Sequence, residues 1–485
     1  MTAETGRSTL SARQQGPCRE LAGHIVAPIV GDGTGLRRTT NILLSATLCW
    51  GIFASGAFFA EDRLVFTILA VLTLLSAWSV IDRREVRWWI LTLAPGCGAV
   101  VTSGLVHHAV ADLPLAIAPF IASAALGLAA SIASRGRDQA LLQRVVVDVA
   151  TVLGLLCWIG VSWHLAPFAA HLNQGWRGEA GIGYANVTGA VLALGAVIAT
   201  RLAAASNHPA DLVRCTVLMT AMASTQSRTL AVAALVAWGV MAWRQARIAG
   251  VLLHVAVPAA VATAGLIPSI RSNEARPIEA IVAAAIAGLL LLLARTRWRS
   301  LGRMRATAKI VSIAAALSCG VLLRERLLDI GSVTGHWTLW QSSLEKAWQS
   351  GFFGQGPREP AKLSRGDAVL VLAHNDILQL AAYYGLPALV AGLWLIGRVV
   401  YGASEKFESS RRVRLISPVT SAALLVVVVT GLTDFPLQIP VVPAALALVI
   451  GIERSRAARP VSAGRAAPAC SVPPENRSSD EEAIH

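Results

Sequence analysis

Apolar segments fill this chain from residue 41 to about residue 453, and polar residues are confined to short intervals between them. Each segment approaches the roughly 20 residues that an α-helix needs to cross the hydrocarbon core of a membrane. Only 14% of the 485 residues are charged, whereas soluble domains carry roughly 25%. The pattern predicts an all-α fold, namely a polytopic transmembrane helical bundle.

The apolar segments predict about fourteen spans, with twelve as the lower count because the two segments within 212–243 are short and interrupted. Residues 41–453 form the predicted transmembrane domain. The polar segments 1–40 and 454–485 are predicted to be disordered cytoplasmic tails, since they bury too little apolar surface to fold. The predicted spans are 41–60, 64–81, 88–106, 114–133, 144–163, 184–201, 212–225, 229–243, 248–270, 278–294, 308–323, 377–397, 415–432 and 437–453.

Lysine and arginine are distributed unevenly between the two sides of this predicted bundle. With the N-terminus in the cytoplasm, the inner segments hold 31 of the 42 basic residues and the outer segments hold 11. Cytoplasmic loops of membrane proteins carry such an excess, so both termini are predicted inside. This topology also accounts for the net charge of +14, and the scattered basic residues predict no nucleic-acid partner.

Two predicted extracytoplasmic loops are long, at 164–183 and 324–376, and long loops are usually functional or disordered. In the larger loop, apolar residues recur at the spacing of a helix: Trp337, Trp340, Leu344 and Trp348. The spacing predicts a short amphipathic helix. Such a helix either lies among membrane lipids at the outer surface or packs over the bundle, and the two arrangements are compatible.

Three polar residues fall on the same, outer side of the predicted membrane: Arg177, Arg228 and His374. An arginine between two short spans, such as Arg228, avoids lipid either by snorkelling or by facing a polar cavity. Alternatively, Arg177 is a solvated loop charge and His374 is a structural histidine at the interface. Their convergence on one side favours a functional site.

His374 precedes the N-terminus of a predicted helix, with Asn375 and Asp376 as candidate caps and Gln379 one turn further on. The helix dipole disfavours imidazolium at this end and favours a bound anion. A neutral histidine there can accept a proton from a hydroxyl group. Asn186, near the start of another predicted span, is either a helix cap or a buried hydrogen-bonding group.

The sequence predicts neither a metal ion nor another cofactor. It contains no Asp-x-Asp motif, and the outer loops contain no His/Glu pair at metal-ligand spacing. The seven cysteines have neither metal-ligand nor redox-pair spacing. They are interpreted as small apolar residues of the helices and tails.

Several short motifs, taken in order, resemble the O-antigen ligase/polymerase superfamily over about residues 140–450. Their order, spacing and shared membrane side carry the resemblance. Two positions depart from the pattern, because Tyr383-Tyr384 stand where an acidic residue is common and His336 stands where relatives often have arginine. The matching motifs are Gly183-Tyr184-Ala185-Asn186, Ser227-Arg228, Trp340, Gly354-Gln355-Gly356, His374-Asn375-Asp376, Leu378-Gln379, Gly385 and Thr433-Asp434-Phe435.

The resemblance implies a glycosyltransferase of the bacterial inner (plasma) membrane that acts on the extracytoplasmic side in cell-surface polysaccharide synthesis. Members move a glycan from an undecaprenyl-diphosphate carrier to an acceptor. Ligases use a glycolipid or protein acceptor, whereas polymerases use another carrier-linked glycan. Arg228 would contact the diphosphate and His374 would activate the acceptor hydroxyl, which makes both catalytic. The predicted count of fourteen spans slightly favours a polymerase, because ligases of this superfamily often have twelve.

Arginine is expected to stabilise the departing diphosphate where no metal does so. Arg324 and Arg326 begin the larger loop and either serve this purpose or anchor the chain at the headgroup level. A second essential arginine is typical of this loop in the family, and the resemblance assigns it to Arg326. Substrate-binding residues are expected to be Arg177, Arg326, Asn186, Asn375, Asp376 and Gln379.

Two alternatives to an enzyme remain open. A transporter or flippase of lipid-linked sugars would also be a polytopic bundle, but transporters tend to show internal repeats and broken helices at the membrane midplane. The sequence shows no repeat, and its polar cluster falls at the predicted outer face. A non-catalytic scaffold would fit the helices but would leave the outer arginines and His374 unexplained.

Overall fold

The computed structural model describes residues 33–134, 139–172, 175–206, 208–297, 330–357, 374–402 and 417–457. Across these ranges the chain is mostly α-helical, as predicted. The helices are α1 (Gly33–Phe53), α2 (Ala60–Ser76), α3 (Arg83–Val106), α4 (Leu113–Ala133), α5 (Gln139–Trp163), α6 (Ala185–Ser206), α7 (Pro209–Ser224), α8 (Arg228–Arg244), α9 (Ala246–Arg271), α10 (Pro277–Arg297), α11 (Ile330–Gln349), α12 (Asp376–Gly402), α13 (Pro418–Gly431) and α14 (Val441–Ala457).

Six of the described helices are long and apolar enough to cross a membrane, namely α3, α4, α5, α6, α9 and α12. Thirteen of the predicted spans coincide with described helices, and the predicted span 308–323 lies outside the described residues. Helices at these thirteen places are therefore confirmed, whereas the number of fourteen spans and their topology stay predictions. Helix α1 begins inside the segment predicted as a tail, and α14 runs beyond residue 453.

A small antiparallel hairpin departs from the all-α prediction. Strand β1 (Ala169–Leu172) pairs with β2 (Gly175–Gly178), and Ala169 lies opposite Gly178. Glycine at 178 lets β2 approach the bundle closely, because a Cβ there would lie 2.7 Å from Ser224 Oγ and 2.9 Å from Cys157 Cβ. The hairpin is therefore pressed against α5 and the end of α7, and it carries Arg177 to that place.

Helix α6 occupies the centre of the bundle and is buried along nearly all of its length. Between Asn186 and Arg201 its residues are almost all apolar on every face, which is the pattern of a fully buried helix. Small residues permit the close approach, since a Cβ on Gly195 would overlap Ala150 of α5 and a Cβ on Gly189 would overlap Leu230 of α8. The N-terminal end of α6 is thereby fixed among its neighbours.

Helix α12 is broken at Gly385, whose φ of 71° and ψ of −162° are not helical. The segment 351–357 pairs with the broken turn, because Leu386 N donates to Phe352 O (3.0 Å) and Gln355 N donates to Ala382 O (2.9 Å). The hydroxyl of Ser103 in α3 donates to the carbonyls of Phe353 and Tyr383. The Gly354-Gln355-Gly356 motif thus forms a turn that fills the gap in the α12 hydrogen-bond ladder.

Two ion pairs join helices at the end of the bundle where α6 and α14 terminate. Arg201 Nη1 of α6 lies 2.5 Å from Glu453 Oε1 of α14, and Arg454 Nε of α14 lies 3.1 Å from Glu85 Oε2 of α3. The Arg454 guanidinium also stacks over the Trp88 ring, 3.7 Å from its centroid. These contacts hold α3, α6 and α14 in register far from the N-terminal end of α6.

Candidate functional site

Polar side chains from four separate chain segments meet where the N-terminal ends of α6 and α12 approach the turn before α14. Asp434 lies at the centre and is 3% exposed. The Tyr184 hydroxyl donates to its two carboxylate oxygens at 3.1 and 3.2 Å, and Asn186 Nδ2 donates to Oδ2 at 2.5 Å. Hydrogen bonds from these donors hold the buried carboxylate in a fixed orientation.

Arg177 joins the network from the β-hairpin. Its Nη2 donates to Asn186 Oδ1 at 2.7 Å, and its Nε donates to the carbonyl of Thr225 at 2.8 Å. The Asn186 amide therefore bridges Arg177 and Asp434, accepting from one and donating to the other. Burial lowers the pKa of Arg177 from its ordinary value, and the negative groups around it act in the opposite direction. The guanidinium remains charged, because arginine is not deprotonated in proteins.

Tyr184 stays protonated in this environment. A phenol ionises in water only at about pH 10, and this hydroxyl donates to the carboxylate of Asp434. The ring stacks on Phe435, with ring centroids 4.9 Å apart. Tyr184 thus serves as a neutral donor to Asp434 and as one wall beside His374.

His374 is held in a strained backbone conformation beside Asp434. Its φ is +48°, in the left-handed region that disfavours residues with a side chain. The Trp340 indole of α11 donates to the carbonyl of His374 at 3.2 Å. The imidazole ring of His374 packs edge-on against the ring of Phe435. Nδ1 lies 3.5 Å from both the Tyr184 hydroxyl and Asp434 Oδ1. This orientation places Nε2 on the far side of the ring, away from Asp434.

Two of the three predicted substrate-binding residues after His374 contact the segment between α13 and α14. The Asn375 side chain caps α12 by accepting from Leu378 N at 3.0 Å, and it donates to Leu432 O at 2.7 Å. Asp376 accepts from Leu437 N at 3.0 Å. Gln379 is also buried. This geometry favours a positioning role for Asn375 and Asp376 over the predicted contact with substrate.

Arg228 lies near the same network at the first turn of α8. Ser227 caps that helix by accepting from Leu230 N, and the hydroxyls of Thr229 and Thr433 lie 2.6 Å apart. Thr433 precedes Asp434 in the chain, so α8 begins beside the network. The half-buried Arg228 is close enough to lower the pKa of Arg177 by charge repulsion. Arg324 and Arg326 lie outside the described residues.

Two residues of the site, Tyr184 and Asp434, are not among the predicted site residues. Both stand inside motifs that carried the resemblance, and Asp434 is the single acidic residue between the last two apolar segments. A lone carboxylate between two membrane helices is costly without partners, and this signal could have identified it. Within the described ranges, no three His, Cys, Asp or Glu side chains come together as a metal site would require.

Comparison with known proteins assigns this chain to no group. No family model matches the sequence, and no curated protein matches it. The geometry of the site and the short motifs therefore remain as the indications of function.

Proposed function

We propose that this protein is a membrane glycosyltransferase. It moves a glycan from an undecaprenyl-diphosphate carrier to an acceptor hydroxyl on the extracytoplasmic face of a bacterial inner membrane. The observation that carries the proposal is the pairing of His374 with the buried Asp434, next to the arginines 177 and 228. A base backed by a carboxylate and an arginine pair suited to a diphosphate are the two elements that such a transfer needs.

The reaction is a displacement at the anomeric carbon of the donor. The acceptor oxygen forms a bond to that carbon while the bond to the diphosphate oxygen breaks, and the diphosphate leaves with the electron pair. The acceptor proton passes to Nε2 of His374, because Nδ1 faces Asp434. Asp434 stabilises the imidazolium that forms, in the manner of a carboxylate that orients a histidine base. Inversion at the anomeric carbon is inferred from the family resemblance.

Arg228 and Arg177 have different parts in this scheme. Arg177 is fixed by Asn186 and Thr225, so it sets the electrostatic potential of the site without moving. Arg228 is half-buried and begins a helix, which suits direct contact with the leaving diphosphate. Positive charge already in place where negative charge develops lowers the barrier without reorganisation.

The proposed topology places this chemistry outside the cytoplasm. It comprises fourteen spans with both termini inside, which puts the loops 164–183 and 324–376 on the outer side. The hairpin carrying Arg177 and the N-terminal end of α12 then share that side. Arg177 contacts Asn186, and Asn186 and His374 both contact Asp434, which supports the placement of these residues on one side of the membrane.

The test is transfer by purified protein in the presence of a chelator. Wild type and His374→Ala receive undecaprenyl-diphosphate glycan with each acceptor class in turn, and products are resolved on a gel. His108→Ala is the matched control, because His108 is an exposed histidine with a similar φ of 55°. We expect transfer by wild type and by His108→Ala, and a loss of at least about 100-fold in His374→Ala, the scale of general-base catalysis.

The products also distinguish the alternatives. A ladder of products indicates a polymerase, and a single shifted acceptor band indicates a ligase. Full activity in His374→Ala would refute the proposed chemistry. If wild type instead moves carrier-linked glycan across vesicle membranes without transferring it, the protein is a flippase and the proposal fails.

A further inference from the structure

An apolar cavity of about 470 Å³ lies beside the polar network, between α12 and the helices α3, α4, α13 and α14. Its walls are almost entirely hydrocarbon, and its volume is within the range of roughly 300–1,000 Å³ typical of ligand pockets. Arg63, Asp376 and Gln438 line one end, at the N-terminal side of α12. Val399 and Ile450, near the C-terminal ends of α12 and α14, line the other end.

The cavity and the polar network share a wall. Asp376 lines the cavity, and the backbone of Leu437 donates to its carboxylate. Asp376 follows His374 by two residues, and Leu437 follows Asp434 by three. The same two chain segments therefore form the boundary between the apolar cavity and the candidate catalytic pair.

A ligand that fills both regions must be an amphiphile with one polar end. The polar end of the cavity includes the buried Arg63, whose guanidinium donates to the carbonyls of Phe58 and Leu115 and brings a positive charge to that wall. Asp376 lines the same wall, and its carboxyl oxygens accept from Leu437 N and Gln438 Nε2, so it offers a phosphate no donor there. An anionic head group would therefore fit on the His374 side of Asp376, with only its apolar chain in the cavity.

Among the described residues, the cavity opens on the side of the bundle between α12 and α13. Leu393 and Val428 line the cavity and are 71% and 38% exposed, which places them at its mouth. Both helices are apolar, so this mouth faces the hydrocarbon of the membrane. A chain anchored in the membrane can enter sideways without passing through water.

We infer that this cavity receives the isoprenoid chain of the glycan donor and holds the donor diphosphate at the level of His374. The identity of the chain rests on the proposed function. The location rests on the shared wall at Asp376, the charge of Arg63 and the mouth between α12 and α13.

The inference is tested by photolabelling of the full-length protein in phosphatidylethanolamine/phosphatidylglycerol nanodiscs. The probe is an isoprenoid diphosphate without sugar and with a diazirine in its chain, so labelling does not depend on transfer. Labelled peptides should include Ile377, Leu380 or Leu446, which line the cavity. Unlabelled isoprenoid diphosphate should compete with the probe, and added phosphatidylglycerol should not.

Two neighbouring variants sharpen the test. Ala391 lines the cavity, so Ala391→Phe should reduce labelling at least about tenfold. Val390 is exposed and does not line the cavity, so Val390→Phe should label like wild type. Equal labelling of Ala391→Phe and wild type would overturn the inference, as would labels outside the cavity or equal competition by phosphatidylglycerol.

Another occupant would also overturn the inference. A disulfide between Leu446→Cys and the native Cys319 would show that the chain's own segment 308–323 fills the cavity. Failure of the proposed function is distinguishable, because it would appear as absent transfer together with normal cavity labelling. Transfer with labels elsewhere would refute only the location of the chain.

Discussion

The substitution Gly385→Ala should destabilise the protein because it adds a side chain at the break in α12. At φ 71° and ψ −162° the backbone is in a region that only glycine adopts readily, and a side chain there costs about 1–3 kcal/mol. The new Cβ would also overlap the carbonyl oxygen of Phe352. Relief of that overlap breaks the bond from Leu386 N to Phe352 O, a loss of about 0.5–1.5 kcal/mol. The free energy of unfolding should therefore fall by about 2–4 kcal/mol.

Gly397→Ala is the matched control on the same helix, because nothing lies within 4 Å of a Cβ at that position. Alanine favours helix over glycine by roughly 1 kcal/mol, so this variant should be as stable as wild type or slightly more so. The assay is chemical unfolding of the purified proteins in detergent, followed by tryptophan fluorescence. If Gly385→Ala unfolds at the same denaturant concentration as Gly397→Ala, the break at Gly385 does not constrain the fold as argued.

Three further predictions concern separate parts of the molecule. Asp434→Asn removes the charge beside His374, and transfer should fall at least about tenfold while the elution volume on gel filtration stays unchanged; undiminished transfer would contradict the pairing. Glu453→Gln leaves Arg201 without its buried partner and should cost about 3–5 kcal/mol, whereas Arg201→Met with Glu453→Leu should cost less in the same unfolding assay. Trp348 is 88% exposed, so Trp348→Ser should preserve unfolding stability but reduce the quenching of the protein's tryptophan fluorescence by bromine-labelled lipids. Quenching equal to that of wild type would leave α11 away from the membrane.

The places of the helices could be predicted from sequence because a lipid environment imposes a simple rule. A run of apolar residues long enough to span the hydrocarbon has to satisfy its own backbone, and a helix does so within one segment. The run 114–133 accordingly became α4 at Leu113–Ala133. The hairpin did not follow this rule, because its pairing depends on two four-residue strands and on the contact of Gly178 with α5 and α7.

The partners of the site could not be predicted in the same way. The sequence placed Arg177, Asn186 and His374 on one side of the bundle, but it contains no signal for which side chains meet. Asn186 and Asp434 are 248 positions apart, and their contact arises only when α6 packs beside the turn before α14. The same holds for Asn375 and Asp376. Their place at the start of a helix was predicted, but their hydrogen-bond partners, which lie within residues 432–438, were not.

The strain at His374 connects the break in α12 to the candidate chemistry. A left-handed conformation for such a residue persists only when the surroundings over-determine it. Asn375 fixes the following turn to Leu432, and Trp340 of α11 holds the carbonyl of His374. The segment 351–357 connects the end of α11 to the break at Gly385. A shift of the backbone at Gly385 should therefore move both the Trp340 contact and the Asn375 contact that hold His374. Gly385→Ala should therefore reduce transfer at temperatures where it is still folded, whereas Gly397→Ala should not. Loss of transfer only in step with unfolding would show that the break supports stability alone.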